Sequence, residues 1–321
     1  MLALRQHLRA DSDLGEYGAA AILDALIEEG NDPVPSVRTI NRILDRRGAL
    51  DGQRRPRNTA PPRGWYLPDV ADKRSELDYF DVVLGLVIRG GPEVEVFNAI
   101  SLHGGLTDSW PTTSANAEFA KQAIVAHWRE HGLPVYAQFD NDTRFQGAHQ
   151  HKDVVGTVMR LCLSLGVVPV FAPPREPGFQ AGIESYNAQC QVKVWQRFQH
   201  ASLDDLCARS QRYVLAYRRR RADRIERAPV RRPFPKEWEL DLQAHPTGKL
   251  IYIRRTSDGS TVHLLGRTFD LDLPAHRLVR CEVALDDGYI RFFRLRRREP
   301  HLQPLLAQMP YELPRRRFIT G

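Results

Sequence analysis

The order of strand-like and helix-like segments over residues 78–165 is the feature that most limits which folds this chain can adopt. Two β-favouring runs, DYFDVVLGLVI and VEVFNAISL, are joined by RGGPE and predict a hairpin, and a third short strand is expected within residues 103–110. Helical and buried-strand patterns then alternate: a helix over 114–131, the strand PVYAQF, a helix over 153–165 and the strand VVPVF. With a further helix after the APPREPG loop, the order β-β-β-α-β-α-β-α predicts an α/β fold with a mixed sheet and flanking helices.

The segment before this core predicts a small helical domain at residues 1–50. The pattern EYGAAAILDALIEEG indicates a helix that ends at Gly30, and Ser36 can cap a second helix. The outward side of that second helix carries Arg38, Asn41, Arg42 and Arg46. Two short helices of which the second is cationic are typical of a DNA-binding helix-turn-helix, and an ordinary helical hairpin with a solvated basic face is the alternative.

The remaining segments follow from composition and alternation. Residues 51–73 are rich in Pro and Arg and are expected to be a linker to a core at 74–211. A strongly basic stretch at 212–247 is expected to link the core to short alternating runs at 248–300, which predict a small β-barrel. A basic tail is expected at 301–321.

The overall charge favours a polyanionic partner. The chain of 321 residues has 46 Lys and Arg against 39 Asp and Glu, which gives a formal charge of +7. A merely soluble basic protein is the alternative on charge alone. The four cysteines form no CxxC pair, which fits a reducing compartment, so we expect a cytoplasmic protein. The longest apolar run, VVLGLVI, is too short to span a bilayer, so we expect no membrane role. The histidines form no zinc motif and are expected at the surface.

Three carboxylates at the edges of predicted elements carry the clearest chemical signal: Asp78, Asp140 and Glu184. Mg²⁺ prefers oxygen ligands and keeps several waters, so a site for it needs only two or three protein carboxylates. Two such ions side by side can activate an attacking oxygen and stabilise a leaving one at phosphorus. Asp81 competes with Asp78 but is expected to face the other side of the strand. An isolated Asp at a strand end is otherwise a turn former or a cap, and Glu184 otherwise a charge on a solvated helix.

These residues resemble the integrase-core transposases, the family of insertion-sequence transposases and retroviral integrases. The resemblance rests on Asp78 in the first strand, on Asp140-Asn141 followed by Thr143 and Phe145, and on the PGFQAGIESYN segment with Gly182, Glu184 and Asn187. It implies an RNase H-like core in which Asp78, Asp140 and Glu184 hold two Mg²⁺ or Mn²⁺ ions, an SH3-like C-terminal barrel, and a further N-terminal helix-turn-helix for which residues 1–15 leave little room.

The resemblance also implies the activity, which is metal-dependent DNA cleavage at element ends followed by strand transfer into target DNA by a homo-oligomer. The residues expected to contact DNA are Arg38, Asn41, Arg42, Arg46, Asn187, Gln191, Arg218, Arg219, Arg220 and Arg221. A catalytically inactive, element-derived DNA-binding protein is the alternative, and a nuclease for RNA/DNA hybrids is a third hypothesis.

Two features depart from the family pattern. Asp142 stands where the family usually has glycine, and there it would add a metal ligand, raise the pKa of Asp140 by repulsion, or point to solvent. Glu184 follows Asp140 by 44 positions (184 minus 140), a longer gap than usual, and the surplus falls in QGAHQHKD, which is expected to be an extra surface loop.

Overall fold

The central element is a nine-stranded mixed sheet. The structure is a computed structural model that describes residues 1–50, 66–147, 151–176, 178–296 and 299–315. The strands are β1 Leu77–Val87, β2 Glu93–Ser101, β3 Thr107–Thr112, β4 Tyr136–Phe139, β5 Val168–Phe171, β6 Lys249–Arg255, β7 Thr261–Leu264, β8 Arg267–Asp270, β9 Leu278–Ala284, β10 Tyr289–Arg294 and β11 Leu305–Pro310. The sheet order is β11-β10-β9-β6-β5-β4-β1-β2-β3, and β7 and β8 form a separate two-stranded sheet.

Helices cover both faces of the sheet. They are α1 Leu2–Asp11, α2 Ala19–Glu28, α3 Val37–Arg46, α4 Pro68–Ala71, α5 Ala117–His131, α6 Thr143–Gln146, α7 Thr157–Ser164, α8 Ala181–Cys190, α9 Leu203–Arg219 and α10 Ala222–Glu226, and a π-helical turn, Gln191–Trp195, continues α8. One face packs α5 and α7 against Phe80 and Phe139, and the other packs α8 and α9 against Tyr79 and Val83. None of the helices in these described ranges is long and apolar enough to cross a membrane.

The predicted order of strands and helices in the core is confirmed. Strands β1, β2 and β3 form an antiparallel meander, and β4 and β5 run parallel to β1. Parallel neighbours need a crossover connection, and the one that joins β4 to β5 contains α6 and α7. The result is the mixed α/β sheet that the alternation of patterns indicated.

The C-terminal strands differ from the separate small barrel that their alternation predicted. Strand β6 pairs with β5 in parallel, so β6, β9, β10 and β11 extend the core sheet instead of closing on themselves. Phe171 of β5 stacks on Tyr252 of β6 with ring centroids 5.0 Å apart, and both belong to a hydrophobic core that continues to Phe292. Pairing with β6 also covers what would otherwise be an exposed strand edge at β5. Residues 305–310, which were expected in a basic tail, form the last strand.

The longer gap between Asp140 and Glu184 has a structural use. Asp153 is buried, its amide donates to the carbonyl of Leu265, and its carboxylate accepts both arms of Arg267 at 2.6 Å and the Tyr311 hydroxyl at 3.1 Å. The segment predicted to be a surface loop therefore fastens the core to the turn between β7 and β8. Residues 148–150 of that segment lie outside the described part of the chain.

The N-terminal domain contains three helices rather than two, because residues 2–11 form α1. Ser36 caps α3 as predicted and accepts from the Thr39 amide at 3.2 Å, while Ile22, Ile40 and Leu44 form a small separate core. The connection between α2 and α3 runs over residues 29–36, longer than the turn of about three or four residues that a helix-turn-helix uses. The helix-turn-helix prediction is therefore not confirmed.

We expect the C-terminal strands to be required for folding of the core. A chain cut after His245 would leave the edge of β5 unpaired and remove the part of the core around Tyr252 and Phe292. It should be expressed mainly in insoluble form or lack a cooperative thermal transition in calorimetry. A chain cut after Arg315 keeps every described strand and should melt as the intact protein does. A cooperative transition at the intact protein's temperature in the shorter chain would contradict this expectation.

Candidate active site

Side-chain alternation along β1 decides which carboxylates can meet. Successive residues of a strand point to opposite faces, so Tyr79 and Asp81 point towards α8, whereas Asp78 points towards α5. Strand β4 pairs with β1 in parallel, with Tyr79 opposite Gln138. Continuing that register by two residues brings Asp81 level with Asp140, at the end of β4. The first turn of α8 carries Glu184 on this same side.

An open cleft of about 590 Å³ brings three of these carboxylates together: Asp81, Asp140 and Glu184. The other residues that line it are Asn141, Ala172, Pro173, Pro174, Arg175, Glu176 and Gln180. Asn141 supports the floor by donating from Nδ2 to the carbonyl of Ala172 at 2.6 Å. The structure thus brings Asp140 and Glu184 into one cleft, as the sequence suggested, but with Asp81 as their companion.

Asp78, the third residue predicted for the site, lies on the opposite face of the sheet. Its carboxylate is fully buried and accepts from both arms of Arg231, at 2.8 and 2.6 Å, and from Trp128 Nε1 at 3.0 Å. His127 Nε2 lies 3.5 Å from the same carboxylate. In this structure Asp78 therefore lies outside the cleft, because its oxygens are turned away from Asp140 and form an internal ion pair with Arg231.

No simple sequence signal separates the two aspartates. Both faces of β1 are apolar, since Phe80 belongs to the core beneath α5 and Val83 to the core beneath α8. The structure distinguishes them at Gly182, where an added Cβ would lie 2.9 Å from Tyr79 Cε2. A glycine two residues before Glu184 indicates a close approach of this helix to β1. The residue it meets, Tyr79, shares its face with Asp81.

The two aspartates have opposite electrostatic surroundings. Burial raises the pKa of Asp81 to about 6, and the negative charges of Asp140 and Glu184 contribute in the same direction. Burial also raises the pKa of Glu184. Burial opposes ionisation of Asp78 too, but the ion pair with Arg231 outweighs it and holds the pKa of Asp78 well below its usual range. Asp81 therefore carries a charge that its surroundings disfavour.

This donor set fits a divalent cation. Hard cations such as Mg²⁺ and Mn²⁺ take carboxylate oxygens as ligands, and a cation in the cleft would offset the negative charges that, together with burial, raise the pKa of Asp81. Asp81, Asp140 and Glu184 are the residues that could hold it. The cleft is also open to solvent.

Asp142 has a role that does not involve the cleft lining. Its carboxylate caps α6 by accepting from the Arg144 amide at 2.8 Å and also pairs with both arms of the Arg144 guanidinium, at 3.0 and 2.7 Å. Its own amide donates to Asp140 Oδ1 at 2.9 Å. Asp142 thus supports the Asp140 carboxylate through its backbone, while its side chain belongs to α6.

A second group of potential metal ligands is already occupied by internal contacts. Asp108, His127 and His131 have ligand atoms within 4.8 Å of one another. His127 Nδ1 lies 2.7 Å from Asp108 Oδ2, and Arg218 donates to Asp108 Oδ1 at 2.5 Å. The prediction of surface histidines is wrong for His127, which is buried, and His149 lies outside the described residues. This cluster joins β3 to α5 on the face opposite the cleft, and Arg218 connects it to α9.

The predicted DNA contacts divide into exposed and internal residues. Arg38, Asn41, Arg42 and Arg46 are exposed on α3, and the Arg219 side chain is 75% exposed. Three others hold the fold together: Arg218 pairs with Asp108 and Glu130, Arg220 pairs with Glu16, and Arg221 stacks on Tyr217. Asn187 turns inward to Asp81, and Gln191 lines an apolar cavity beneath α8. Three of the four arginines at 218–221, in the predicted basic linker, therefore make contacts within the fold.

No family model matches this chain, and no curated protein matches it. Among solved structures, the catalytic core of BIV integrase matches with 14% identity over 44% of this chain and 81% of its own, at a TM-score of 0.33. The HTLV-2 integrase core in complex with magnesium matches with 11% identity over 48% of this chain and 85% of its own, at a TM-score of 0.31. An intasome structure of simian T-cell lymphotropic virus with the PP2A regulatory subunit B56 gamma matches with 14% identity over 85% of this chain and 88% of its own, at a TM-score of 0.39. Because each of these TM-scores is below 0.5, the fold is assigned from this chain's own strand order and register and not from these matches.

Exchanging each aspartate for asparagine should have opposite effects on stability. As pH rises from about 4 to about 6, the unfolded chain ionises Asp81 before the folded chain does, so the folded state loses stability over that window and stays lower above it. Asp81→Asn removes this loss and should stabilise the metal-free protein at pH 7 by on the order of 1–3 kcal/mol. Asp78→Asn should destabilise it by on the order of 3–5 kcal/mol, since Arg231 loses its buried partner.

Urea unfolding of the metal-free protein at pH 7 and at pH 4 measures both effects. The gain of the Asp81→Asn variant should shrink as the pH falls to 4, where the folded parent is protonated and the unfolded parent is about half protonated. A loss of stability in Asp81→Asn at pH 7 that equals the loss in Asp78→Asn would contradict the assignment of the two residues.

Proposed function

We propose that this protein is a metal-dependent polynucleotidyl transferase of the integrase-core transposase class, which cleaves DNA at element ends and transfers the strand into a target. The observation that carries the proposal is the convergence of Asp81, Asp140 and Glu184 in one open cleft, each from a different element. Asp81 takes the place in this triad that the sequence pattern assigned to Asp78. The mixed sheet with the order β3-β2-β1-β4-β5 and helices on both faces supports an RNase H-like core.

The chain's own residues would bind and orient the reacting groups. Asp81 of β1, Asp140 at the end of β4 and Glu184 of α8 would together hold the metal ions. Two bound Mg²⁺ or Mn²⁺ ions supply activation of the attacking oxygen and stabilisation of the leaving oxygen in an in-line displacement at phosphorus. The attacking group would be water for cleavage and the freed 3′-hydroxyl for strand transfer, so no covalent enzyme intermediate is needed.

DNA is the partner that the charge distribution supports. Four exposed side chains of α3, namely Arg38, Asn41, Arg42 and Arg46, present a polar and cationic helix face, and Arg175 lines the cleft beside the carboxylates. Cations at these positions would neutralise phosphates without reading sequence, and base-edge contacts would come from Asn41 if α3 enters the major groove. Because strand transfer joins two DNA ends, we propose that the protein acts as a homo-oligomer on DNA.

The proposal predicts loss of activity when the cleft carboxylates are neutralised. Asp140→Asn and Glu184→Gln should each abolish Mg²⁺- or Mn²⁺-dependent cleavage and joining of supercoiled plasmid DNA, while binding of the same DNA in EDTA is retained. Asp142→Asn is the matched control, because asparagine caps a helix about as well as aspartate and its side chain is outside the cleft. It should retain most of the activity.

The same assay separates the proposed enzyme from a catalytically inactive DNA-binding protein. Absence of product from the unaltered protein at every concentration of either metal, with DNA binding intact, would favour the binding protein. Cleavage of an RNA/DNA hybrid without cleavage of plasmid DNA would favour a nuclease for hybrids. Full activity in Asp140→Asn would refute the proposed site.

The α3 face can be tested by the salt dependence of DNA binding. Arg38→Ala and Arg42→Ala should each weaken binding and reduce the slope of log K against log salt by about 1, because one phosphate contact is lost. Arg74→Ala, which removes an exposed arginine far from α3 in the sequence, should leave the slope unchanged. Fluorescence anisotropy with a labelled duplex over a salt series provides the slopes, and unchanged slopes in both α3 variants would exclude this face from the interface.

A further inference from the structure

A row of hydrogen-bonded side chains runs behind the cleft and ends on Asp81. The Tyr186 hydroxyl and Ser109 Oγ lie 2.9 Å apart, and Ser109 Oγ donates to Asn98 Oδ1 at 2.5 Å. Asn98 Nδ2 donates to Asn187 Oδ1 at 2.8 Å, and Asn187 Nδ2 donates to Asp81 Oδ2 at 2.7 Å. The row therefore connects β3, β2, α8 and β1 in a single path.

The strand register explains why these residues meet. Asp81 lies opposite Asn98 in the pairing of β1 with β2, and Asn98 lies opposite Ser109 in the pairing of β2 with β3. The three side chains thus stand side by side on the face that α8 covers, and Asn187 bridges two of them from above. Directly opposite residues in antiparallel strands have Cβ atoms about 5 Å apart, which suits such short polar side chains.

The donors in this row all point the same way. Because Asn98 Oδ1 accepts from Ser109, its Nδ2 is turned towards Asn187, and that contact occupies Asn187 Oδ1. Asn187 therefore presents its own Nδ2 to the carboxylate of Asp81. An amide turned the other way would set its oxygen against the carboxylate. The donor-to-acceptor direction of each hydrogen bond therefore determines how the next side-chain amide is oriented.

The buried surroundings of the row strengthen these hydrogen bonds. Asn98 is fully buried, and the small cavity beside the row is lined mainly by apolar side chains such as Val83, Val96 and Val194. In a region of low dielectric constant, hydrogen bonds are stronger than in water, and an unpaired polar group is more costly. The two asparagine amides consequently have little freedom to exchange their oxygen and nitrogen positions.

We propose that Asn98 and Ser109, neither of which lines the cleft, are positioning residues that set the orientation of the Asp81 carboxylate through Asn187 and thereby the affinity of the cleft for a divalent cation. This inference rests on the proposed function of the cleft. Outer-shell partners of ligating carboxylates hold the ligand in the geometry that the ion requires, and their replacement typically weakens metal binding by about 10- to 100-fold. The same row also ties α8, and with it Glu184, to β2 and β3.

Asn98→Asp is the sharpest test, because it keeps the size of the side chain and replaces its donor by an acceptor. Two acceptor oxygens at this position would draw Asn187 Nδ2 towards β2 and turn Asn187 Oδ1 to Asp81. We expect the dissociation constant for Mn²⁺, measured by calorimetric titration without DNA, to rise about 10- to 100-fold. Ser109→Ala, which removes the donor that orients Asn98, should raise it by a smaller factor, and it serves alone if Asn98→Asp does not fold.

The matched control is Ser101→Ala. Ser101 is buried on the same strand as Asn98 but on the opposite face, where its Oγ accepts from the Leu106 amide at 2.9 Å. It should lower the melting temperature without changing the dissociation constant for Mn²⁺. A merely structural role of Asn98 would make its variants behave in this way too, so the split between melting temperature and Mn²⁺ affinity is the deciding readout.

Asp81→Asn distinguishes a failure of the hydrogen-bonded row from a failure of the metal site itself. If Asp81→Asn loses Mn²⁺ binding while Asn98→Asp and Ser109→Ala bind as the unaltered protein does, the inference about the row is wrong and the proposed cleft stands. If Asp81→Asn itself binds Mn²⁺ with unchanged affinity, the proposed metal site is wrong. Weakened binding in all three variants, with Ser101→Ala unchanged, supports both.

Discussion

The close contact between α8 and β1 is the constraint on which the candidate site depends. Gly182 lies so near the Tyr79 ring that an added Cβ would be 2.9 Å from Cε2, a distance that side chains do not tolerate. This approach brings Glu184 over the face of β1 that carries Asp81, and it brings Asn187 within hydrogen-bonding distance of that carboxylate. Without it, Glu184 would not reach the two aspartates that the pairing of β1 with β4 already brings together.

The two aspartates of β1 show how one strand can serve two purposes. Asp78 and Asp81 are three residues apart and therefore face opposite sides of the sheet. On one side, the carboxylate is neutralised by Arg231 and stabilises the fold, while on the other it is crowded by further negative charge. Nearby positions on β1 thus provide one carboxylate that stabilises the fold and another whose charge is disfavoured by its surroundings. The groups that cover each face of the strand account for the difference.

Much of the core was predictable from the sequence, because its signals are local. The strand and helix order, the Ser36 cap and the placement of Asp140 and Glu184 at element ends all follow from short-range patterns. The choice between Asp78 and Asp81 was not predictable, since both faces of β1 are apolar. Pairing of β6 with β5, and the ion pairs of Arg218 and Arg231, join residues far apart in the chain, for which a single sequence has no local signal.

The unbroken ladder of backbone hydrogen bonds from β3 to β11 limits how this molecule can rearrange around a substrate. Strand β5 is paired on both sides, and Asp153 adds a side-chain clamp to Arg267 beyond the ladder. The C-terminal strands therefore cannot swing away like a hinged lid, because that motion would break main-chain pairing inside a shared apolar core. Any rearrangement that admits a large ligand to the cleft must come from elements outside the ladder, such as the N-terminal helices.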